Sequence, residues 1–330
     1  MLLITIRTMK SSDRYTSQNK LKSTLLYFLK LLPLIIILIF LVLFLAGCSK
    51  KYDNLDLSMY KYRDTKNLVK FVYDAAKFLE NEGVVGLDYF CNNRQRFQTK
   101  DHYLYIYDMD CNNIFHSGME HLENTNLIDV TDKNGKEIAK LTLDALKDPN
   151  NPHAWVHYSW WEPGKFYPVP KSSCHFKVTT PEGKEFFVGG GINYPQEEQE
   201  FIRIIVDDAA KLIKKKGQSA FAEIADPTSQ YNYRDVTVFA FRSNGDIVIS
   251  PVLDDSLSKI QLMECTDEVG HKPFLKVLNA LKENDSVWEV FLAKNRFRRE
   301  LIKKCMYIRK TDLDGETIYV GAITDLPNPP

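Results

Sequence analysis

Polar aromatic residues at alternating positions, together with one lysine, are the side chains of this sequence whose types and spacing suit chemistry. Tyr105 and Tyr107 stand two residues apart, and a β-strand would place both on one face. Tyr158 and Trp160 repeat that spacing. Any single aromatic residue of this kind is most often part of a core. Lys171 differs, because a lysine is seldom fully buried without an acid or a ligand as its partner. If it is buried, it is a candidate ligand-binding residue. The alternative is a solvated lysine in a loop.

Catalytic and metal-binding patterns are absent from the sequence. The seven histidines lack HExxH or His-x-His spacing, and no G-x-S-x-G elbow or Walker A loop occurs. Gly189-Gly190-Gly191 is not a dinucleotide fingerprint and instead indicates a strand packed closely against other backbone. The five cysteines after Cys48 are odd in number and form no CxxC pair, which excludes a complete disulfide framework. We therefore expect no enzyme, no metal and no cofactor.

The charge distribution argues against nucleic acid as a partner. The 330 residues contain 43 basic and 43 acidic side chains, but six of the basic residues and only one acid lie within residues 1–47. The remainder therefore carries a net charge of about −5. Phosphate backbones require a concentrated basic surface, which such a mildly acidic chain does not offer.

Residues 1–47 are predicted to be a lipoprotein signal peptide. A basic segment precedes a sixteen-residue apolar run at 31–46, which is short for a stable membrane span of about 20 residues. Leu45-Ala46-Gly47-Cys48 resembles the bacterial lipobox, in which the cysteine is lipidated and becomes the new N-terminus. We expect Cys48 to carry the lipid and residues 48–65 to form a tether. The alternative is an uncleaved signal anchor with an incidental cysteine. The 30 residues before the apolar run are long for a signal, which suggests that translation begins at Met9.

Two copies of one pattern follow, in the same order. Asp74–Leu79 returns as Asp208–Ile213, 134 residues later, and the segment 103–117 returns at 237–251. Each copy opens with an amphipathic helix that a glycine, Gly83 or Gly217, ends. A strand–turn–strand, a short second helix and three further strands then follow. This order predicts an α+β fold with an antiparallel sheet of about five strands in each copy.

The ordered segments resemble those of the Cache domain family found in bacterial chemoreceptors and sensor kinases. The resemblance rests on "YLYIYDMDCNNIFHSG", on a Trp-x-x-Tyr-x-Trp strand, on a Pro-Lys-x-Ser step and on the closing "VGGGI". It covers residues 66–195 as a first module and 200–325 as a second. The resemblance implies two tandem PAS-like Cache modules, each with a long N-terminal helix, that work outside the cytoplasm.

The family resemblance also implies a pocket for a small organic acid such as acetate, propionate, pyruvate or lactate. In such pockets aromatic residues form the walls, while a basic residue and hydroxyl donors bind the carboxylate. Carried onto the first copy, the expected ligand-binding residues are Tyr105, Tyr107, His116, Tyr158, Trp160, Lys171 and Ser173. In the second copy Phe239 and Phe241 replace the paired tyrosines and Ser250 replaces His116, so we expect a different specificity or no ligand there.

The sequence thus predicts a lipid-anchored, extracytoplasmic protein that binds a small organic acid. No kinase or methyl-accepting segment follows the second copy, so the signal or the ligand would pass to a separate transmembrane receptor or kinase. The alternative is a structural or interaction lipoprotein that uses these folds as protein-docking surfaces without a small ligand.

Overall fold

The computed structural model describes residues 55–99, 102–162, 165–234, 236–250, 262–294 and 300–326. The predicted signal peptide and Cys48 lie outside these residues. The helices are α1 (Arg63–Glu82), α2 (Val85–Asn92), α3 (Ile138–Ala145), α4 (Gln199–Lys216), α5 (Ala220–Ala225) and α6 (Pro273–Ala280). The strands are β1 (His102–Asp108), β2 (Asn113–His116), β3 (Val156–Trp161), β4 (Pro168–Thr179), β5 (Glu185–Asn193), β6 (Asn232–Tyr233), β7 (Val236–Thr237), β8 (Phe239–Arg242), β9 (Ile247–Ile249), β10 (Ser286–Lys294), β11 (Leu301–Leu313) and β12 (Glu316–Asp325).

Helix α1 forms because apolar residues recur along it at helical spacing. Leu68, Val72 and Leu79 are fully buried on one face, which packs on β4 and β5. The helix ends at Gly83, whose φ of 67° a residue with a Cβ would adopt only with strain. The Gly83 N–H donates to the Leu79 carbonyl and so closes the last turn. The helix thereby covers one face of the first sheet and leaves the other face free for α3 and the loops.

The first sheet is antiparallel, with strand order β2-β1-β5-β4-β3. Strands β1 and β2 form a hairpin, and β3, β4 and β5 form a meander whose last strand pairs with β1. Tyr105 lies opposite His116 on one side and Gly189 on the other. Lys171 lies opposite Tyr158. This register brings the edge hairpin and the meander together on a single face.

The second sheet repeats this connectivity. Its strand order is β10-β11-β12-β8-β9, which is the order of the first sheet read from the other edge. Helix α4 packs on β11 and β12 as α1 packs on β4 and β5. The predicted mixture of helices and antiparallel sheets is confirmed.

The two halves pack against each other through aromatic residues. Phe201 at the start of α4 is buried, and its ring centroid lies 4.6 Å from that of Trp155 and 4.8 Å from that of His157. Tyr60, within the segment read as a tether, is also buried there, and the Trp155 indole donates to its hydroxyl over 2.7 Å. The described residues from Leu57 onward form one compact unit.

Among the described residues, no helix has the length and hydropathy that a membrane span requires. The apolar run at 31–46 lies outside those residues. All five cysteines within the described ranges are free thiols, at 91, 111, 174, 265 and 305.

Candidate ligand-binding site

One face of the first sheet, together with α3, encloses a small cavity. Strand alternation turns the odd-numbered residues of β1 and β5 to this face, and the even-numbered residues of β3 join them. The cavity measures about 50 Å³. Its lining comprises Tyr103, Tyr105, Tyr107, His116, Leu127, Val130, Ile138, Ala139, Thr142, Tyr158, Trp160, His175 and Phe187. One water needs roughly 10–15 Å³, so the space fits only a few non-hydrogen atoms.

Lys171 is the most unusual side chain beside this cavity. It is 1 % exposed, and its Nζ has no hydrogen-bond partner among the residues that the structure describes. The Nζ lies 3.5 Å from the ring centroid of Tyr103, a residue of the cavity wall. Burial lowers the pKa of Lys171 well below its usual range, and the charge of Glu162 opposes that effect. An amine placed in this way lacks the hydrogen bonds that water would supply, which costs free energy unless a ligand restores them.

His116 offers a hydrogen-bond donor next to Lys171. Its Nδ1 accepts hydrogen bonds from the backbone N–H groups of Gly118 and Met119, at 3.2 and 2.9 Å. The proton of the neutral ring therefore resides on Nε2. Burial, followed by the charge of Lys171, lowers the pKa of His116 to about 3. His116 is consequently a neutral donor at physiological pH.

Hydrogen bonds fix the aromatic walls. The Tyr105 hydroxyl lies 2.9 Å from Nε2 of His175, whose Nδ1 lies 2.7 Å from the Ala154 carbonyl. The Nδ1 must carry the proton to bond that carbonyl, so Tyr105 donates to Nε2. On the other wall, the Tyr158 hydroxyl and the Ser173 hydroxyl are 2.7 Å apart. These hydrogen bonds fix the orientations of the Tyr105 and Tyr158 rings at the cavity wall.

Two glycines of β5 make room for these side chains. A Cβ on Gly189 would lie 2.6 Å from the His175 ring, and one on Gly191 would lie 2.7 Å from Oγ of Ser173 and also strike the Lys171 side chain. Gly190 faces the opposite side, where a Cβ would lie 2.7 Å from Val72 on α1. The three-glycine run is thus a strand packed closely on both faces, mostly against side chains rather than against the backbone that the sequence suggested.

The electrostatic character of the cavity favours an anion. No carboxylate lines it among the described residues, whereas two nitrogen donors, of Lys171 and His116, lie beside it. Burial raises the pKa of Tyr103 and Tyr105 well above the usual range, so both remain neutral and add no negative charge to the wall. A site of this kind can hydrogen-bond to a small acidic group and reject cations.

The structure brings the seven expected residues to one face of one sheet. Tyr105, Tyr107, His116, Tyr158 and Trp160 line the cavity. Lys171 and Ser173 lie just behind that lining, against Tyr103 and Tyr158 respectively.

Sequence reasoning missed Tyr103, His175 and Thr142 as lining residues. Tyr103 and His175 follow the same period of two as Tyr105 and Ser173, so the alternation contained the signal. Thr142 lies on the eight-residue helix α3, and nothing in its sequence indicated that this helix covers the sheet.

The corresponding face of the second sheet is filled with apolar side chains. Phe241, Met306 and Ile308 are fully buried there, in a cluster that includes Phe239 and Tyr319. Phe239 and Phe241 stack at 6.1 Å between ring centroids. Among the described residues, this face of the second sheet carries apolar side chains, whereas the matching face of the first sheet carries hydroxyl, imidazole and amine groups.

Several solved structures are similar to parts of this chain. A methyl-accepting chemotaxis protein from Vibrio parahaemolyticus is 20 % identical over 39 % of this chain and 88 % of its own, with a TM-score of 0.32. A Cache chemosensory domain studied for carboxylic acid recognition is 19 % identical over 40 % of this chain and 94 % of its own, with a TM-score of 0.32. The ligand-binding domain of the Campylobacter jejuni chemoreceptor Tlp3, in complex with 4-methylisoleucine, is 12 % identical over 79 % of this chain and 83 % of its own, with a TM-score of 0.25.

The family comparison covers most of the described region. Among curated proteins, none matches the chain. The Cache domain family matches residues 92–312, which include the strands of the cavity and most of the second sheet. The match spans more than half of the sequence, and the chain therefore belongs to the Cache domain family.

Proposed function

We propose that this protein is an extracytoplasmic, lipid-anchored binding or sensor protein with two tandem Cache modules, of which the first binds a short-chain carboxylate. The observation that carries the proposal is the buried amine of Lys171. Within the described part of the chain it has no hydrogen-bond partner, and no acid lines the cavity beside it. A ligand carboxylate would supply the missing hydrogen bonds and the missing negative charge.

The size of the cavity supports a ligand of a few non-hydrogen atoms. A space of about 50 Å³ excludes drug-sized molecules, which occupy roughly 300–1,000 Å³. A small acid can bury little area, so most of its affinity must come from charge-assisted hydrogen bonds. The Lys171 amine and the His116 Nε2–H are the donors available for them.

The location and the partner are inferred from the sequence. Domains of the Cache family are typically extracytoplasmic sensor modules, which supports a location outside the cytoplasm. The lipobox-like segment before Cys48 supports a lipid anchor. On this proposal Cys48 carries the lipid, and a separate transmembrane receptor or kinase receives the ligand or the signal. The second module, with its apolar core, would serve as a support or as a docking surface for that receptor.

The alternative function is a structural or protein-interaction role without a small ligand. The filled apolar face of the second sheet favours it for that half of the chain. The polar cavity of the first sheet argues against it for the other half, because buried hydroxyl and amine groups are costly in a purely structural core.

Thermal unfolding of the full chain in detergent tests the proposal, with acetate, propionate, pyruvate and lactate as probes. Saturation with the correct acid at 100 times its Kd stabilises the folded state by about 2.7 kcal/mol. We expect at least one acid to raise the Tm by several degrees, and Lys171→Met to abolish that shift.

The matched control is Lys177→Met, on the same strand. Lys177 is exposed and pairs with Glu185 at 2.7 Å, so its removal leaves the cavity intact and the ligand shift unchanged. Absence of stabilisation by all four acids contradicts carboxylate binding and supports the interaction role. A shift that survives Lys171→Met contradicts the assignment of the lysine.

A further inference from the structure

The hairpin that joins β3 to β4 exposes a cluster of aromatic side chains. Phe166 is 97 % exposed, Tyr167 57 %, Tyr194 52 % and Trp161 49 %. We call these four residues, with Lys165, the aromatic tip. Aromatic residues of this size normally stay buried in monomeric proteins, and a contiguous exposed group of them marks an interaction surface.

The members of the aromatic tip lie close together along the chain fold. Trp161 lies opposite Pro168 in the β3–β4 ladder, and Pro168 directly follows Tyr167 in the sequence. The Nζ of Lys165 lies 5.9 Å from the ring centroid of Tyr167 and 5.3 Å from that of Tyr194. The lysine also pairs with Glu162 at 3.0 Å. The surface therefore combines amphipathic rings with a single long cationic side chain.

The aromatic tip lies close to the place where the N-terminal segment joins the folded body. The Glu198 carboxylate accepts hydrogen bonds from the backbone N–H groups of Lys61 and Tyr62, at 2.7 and 2.9 Å. Tyr194 is only four residues from Glu198, which limits their separation to about 14 Å. The start of α1 and the aromatic tip thus share one end of the molecule.

The chain that precedes this point contains a strongly apolar run. Residues 31–46 are uncharged and apolar, and only fourteen residues separate Ala46 from Lys61. Such a segment reaches at most about 50 Å when fully extended. A bilayer that holds the run, or a lipid on Cys48, therefore tethers the start of α1, beside the aromatic tip, within about 50 Å of its surface.

We propose that the aromatic tip inserts its rings into the interfacial region of a phospholipid bilayer and so orients the body on the membrane. Tryptophan and tyrosine are enriched at membrane–water interfaces, where the ring is amphipathic and its polar edge stays hydrated. Lys165 can extend its amine to lipid phosphates while its stem lies among the acyl chains. This orientation holds whether residues 31–46 remain as an anchor or Cys48 carries a lipid.

Tryptophan quenching by brominated lipid tests the orientation. The full chain is reconstituted into phosphatidylcholine vesicles with and without bromine on the acyl chains, and the tryptophan emission of the two samples is compared. The chain has four tryptophans, so contact of Trp161 alone removes up to about a quarter of the emission. We expect Trp161→Phe to abolish this loss and Trp288→Phe, on the second sheet, to leave it intact.

A polar substitution supplies an independent readout. Phe166→Ser with Tyr167→Ser should reduce the quenching without unfolding the protein, because both side chains are exposed. Val85→Ser, at a 74 % exposed position on α2, is the matched control and should have no effect.

Two results overturn the inference. One is equal emission from brominated and ordinary vesicles. The other is an emission change that depends on protein density in both lipids alike, which identifies a second copy of the chain as the occupant.

Discussion

Proton uptake upon ligand binding is the clearest residue-scale consequence of the Lys171 environment. Burial depresses the pKa of this amine, so the empty pocket favours its neutral form. A bound carboxylate favours the ammonium form and raises the pKa again. At any pH above the pKa of the empty state, binding therefore takes up a proton, and affinity falls as pH rises by up to about tenfold per unit.

Calorimetric titration of a stabilising acid between pH 6 and 8, in buffers with different ionisation enthalpies, measures this uptake. We expect net proton uptake per bound ligand, and more of it at pH 8 than at pH 6. His116 does not contribute, because its pKa of about 3 keeps it neutral throughout. Affinity that is constant across this range, with no buffer dependence, contradicts a neutral Lys171 in the empty pocket.

At the residue scale, much of the candidate site was predictable from spacing and residue type. The period of two placed Tyr105 with Tyr107 on one face, and the structure places both on the cavity. The burial of Lys171 could not be predicted, since a lysine after a proline in a loop and a lysine within β4 have the same local sequence. The difference arises from the long-range pairing of β4 with β3 and β5.

At the element scale, alternate residues of strand β5 face the cavity on one side of the sheet and helix α1 on the other. Gly191→Ala places a Cβ against Lys171 and Ser173 on the cavity face, whereas Gly190→Ala places one against Val72 on the helix face. Overpacking of this kind costs about 1–3 kcal/mol for either variant. Only Gly191→Ala should also weaken ligand binding, because it alone displaces the amine.

Chemical denaturation and the acid-dependent Tm shift distinguish these two effects. We expect both variants to lose similar stability, with the ligand shift retained in Gly190→Ala and lost in Gly191→Ala. Loss of the ligand shift in both variants would mean that the cavity depends on the overall fit of β5 rather than on the face of the substitution.

The local sequence predicts the long helix α1 better than it predicts the short helix α3. The twenty residues of α1 contain enough apolar repeats, with Gly83 as a stop, to specify an amphipathic helix. Helix α3 has only eight residues, a length at which an isolated helix is unstable in water. Its position over the cavity is therefore set by tertiary packing of Ile138 and Leu141 against the first sheet, which local sequence does not encode.

At the scale of the whole molecule, the two halves are joined by side-chain contacts as well as by the chain between them. The Phe201 ring contacts Trp155, just before β3, and His157 within β3, and Arg203 donates to the Asn150 carbonyl over 2.9 Å. A repeat in the sequence reveals that two similar sheets exist. It does not reveal how they contact each other, because the contacting residues differ between the copies.

A carboxyl pair at this contact makes stability depend on pH. Lys211 Nζ lies 3.0 Å from Asp148 Oδ1 and 3.2 Å from Asp208 Oδ1, so one amine serves a carboxylate from each half. Burial and then the hydrogen bond to Asp148 raise the pKa of Asp208 to about 7. Tyr231, whose pKa burial raises to about 12, lies in the same cleft and stays neutral.

The sign of the effect follows from the raised pKa. Between about pH 4 and 7 the folded state holds a proton that the unfolded state has released, so stability falls as pH rises through this window and is constant above it.

Asp208→Asn keeps a hydrogen-bond donor toward Asp148 without a second charge. We expect it to stabilise the protein by about 1–2 kcal/mol at pH 8 and to leave stability at pH 4 nearly unchanged. Urea denaturation at both pH values measures the difference. The control is Asp144→Asn, an exposed acid in the same cleft, which should follow the wild-type pH dependence. A wild-type pH dependence in Asp208→Asn would place the titrating proton elsewhere in the contact between the halves.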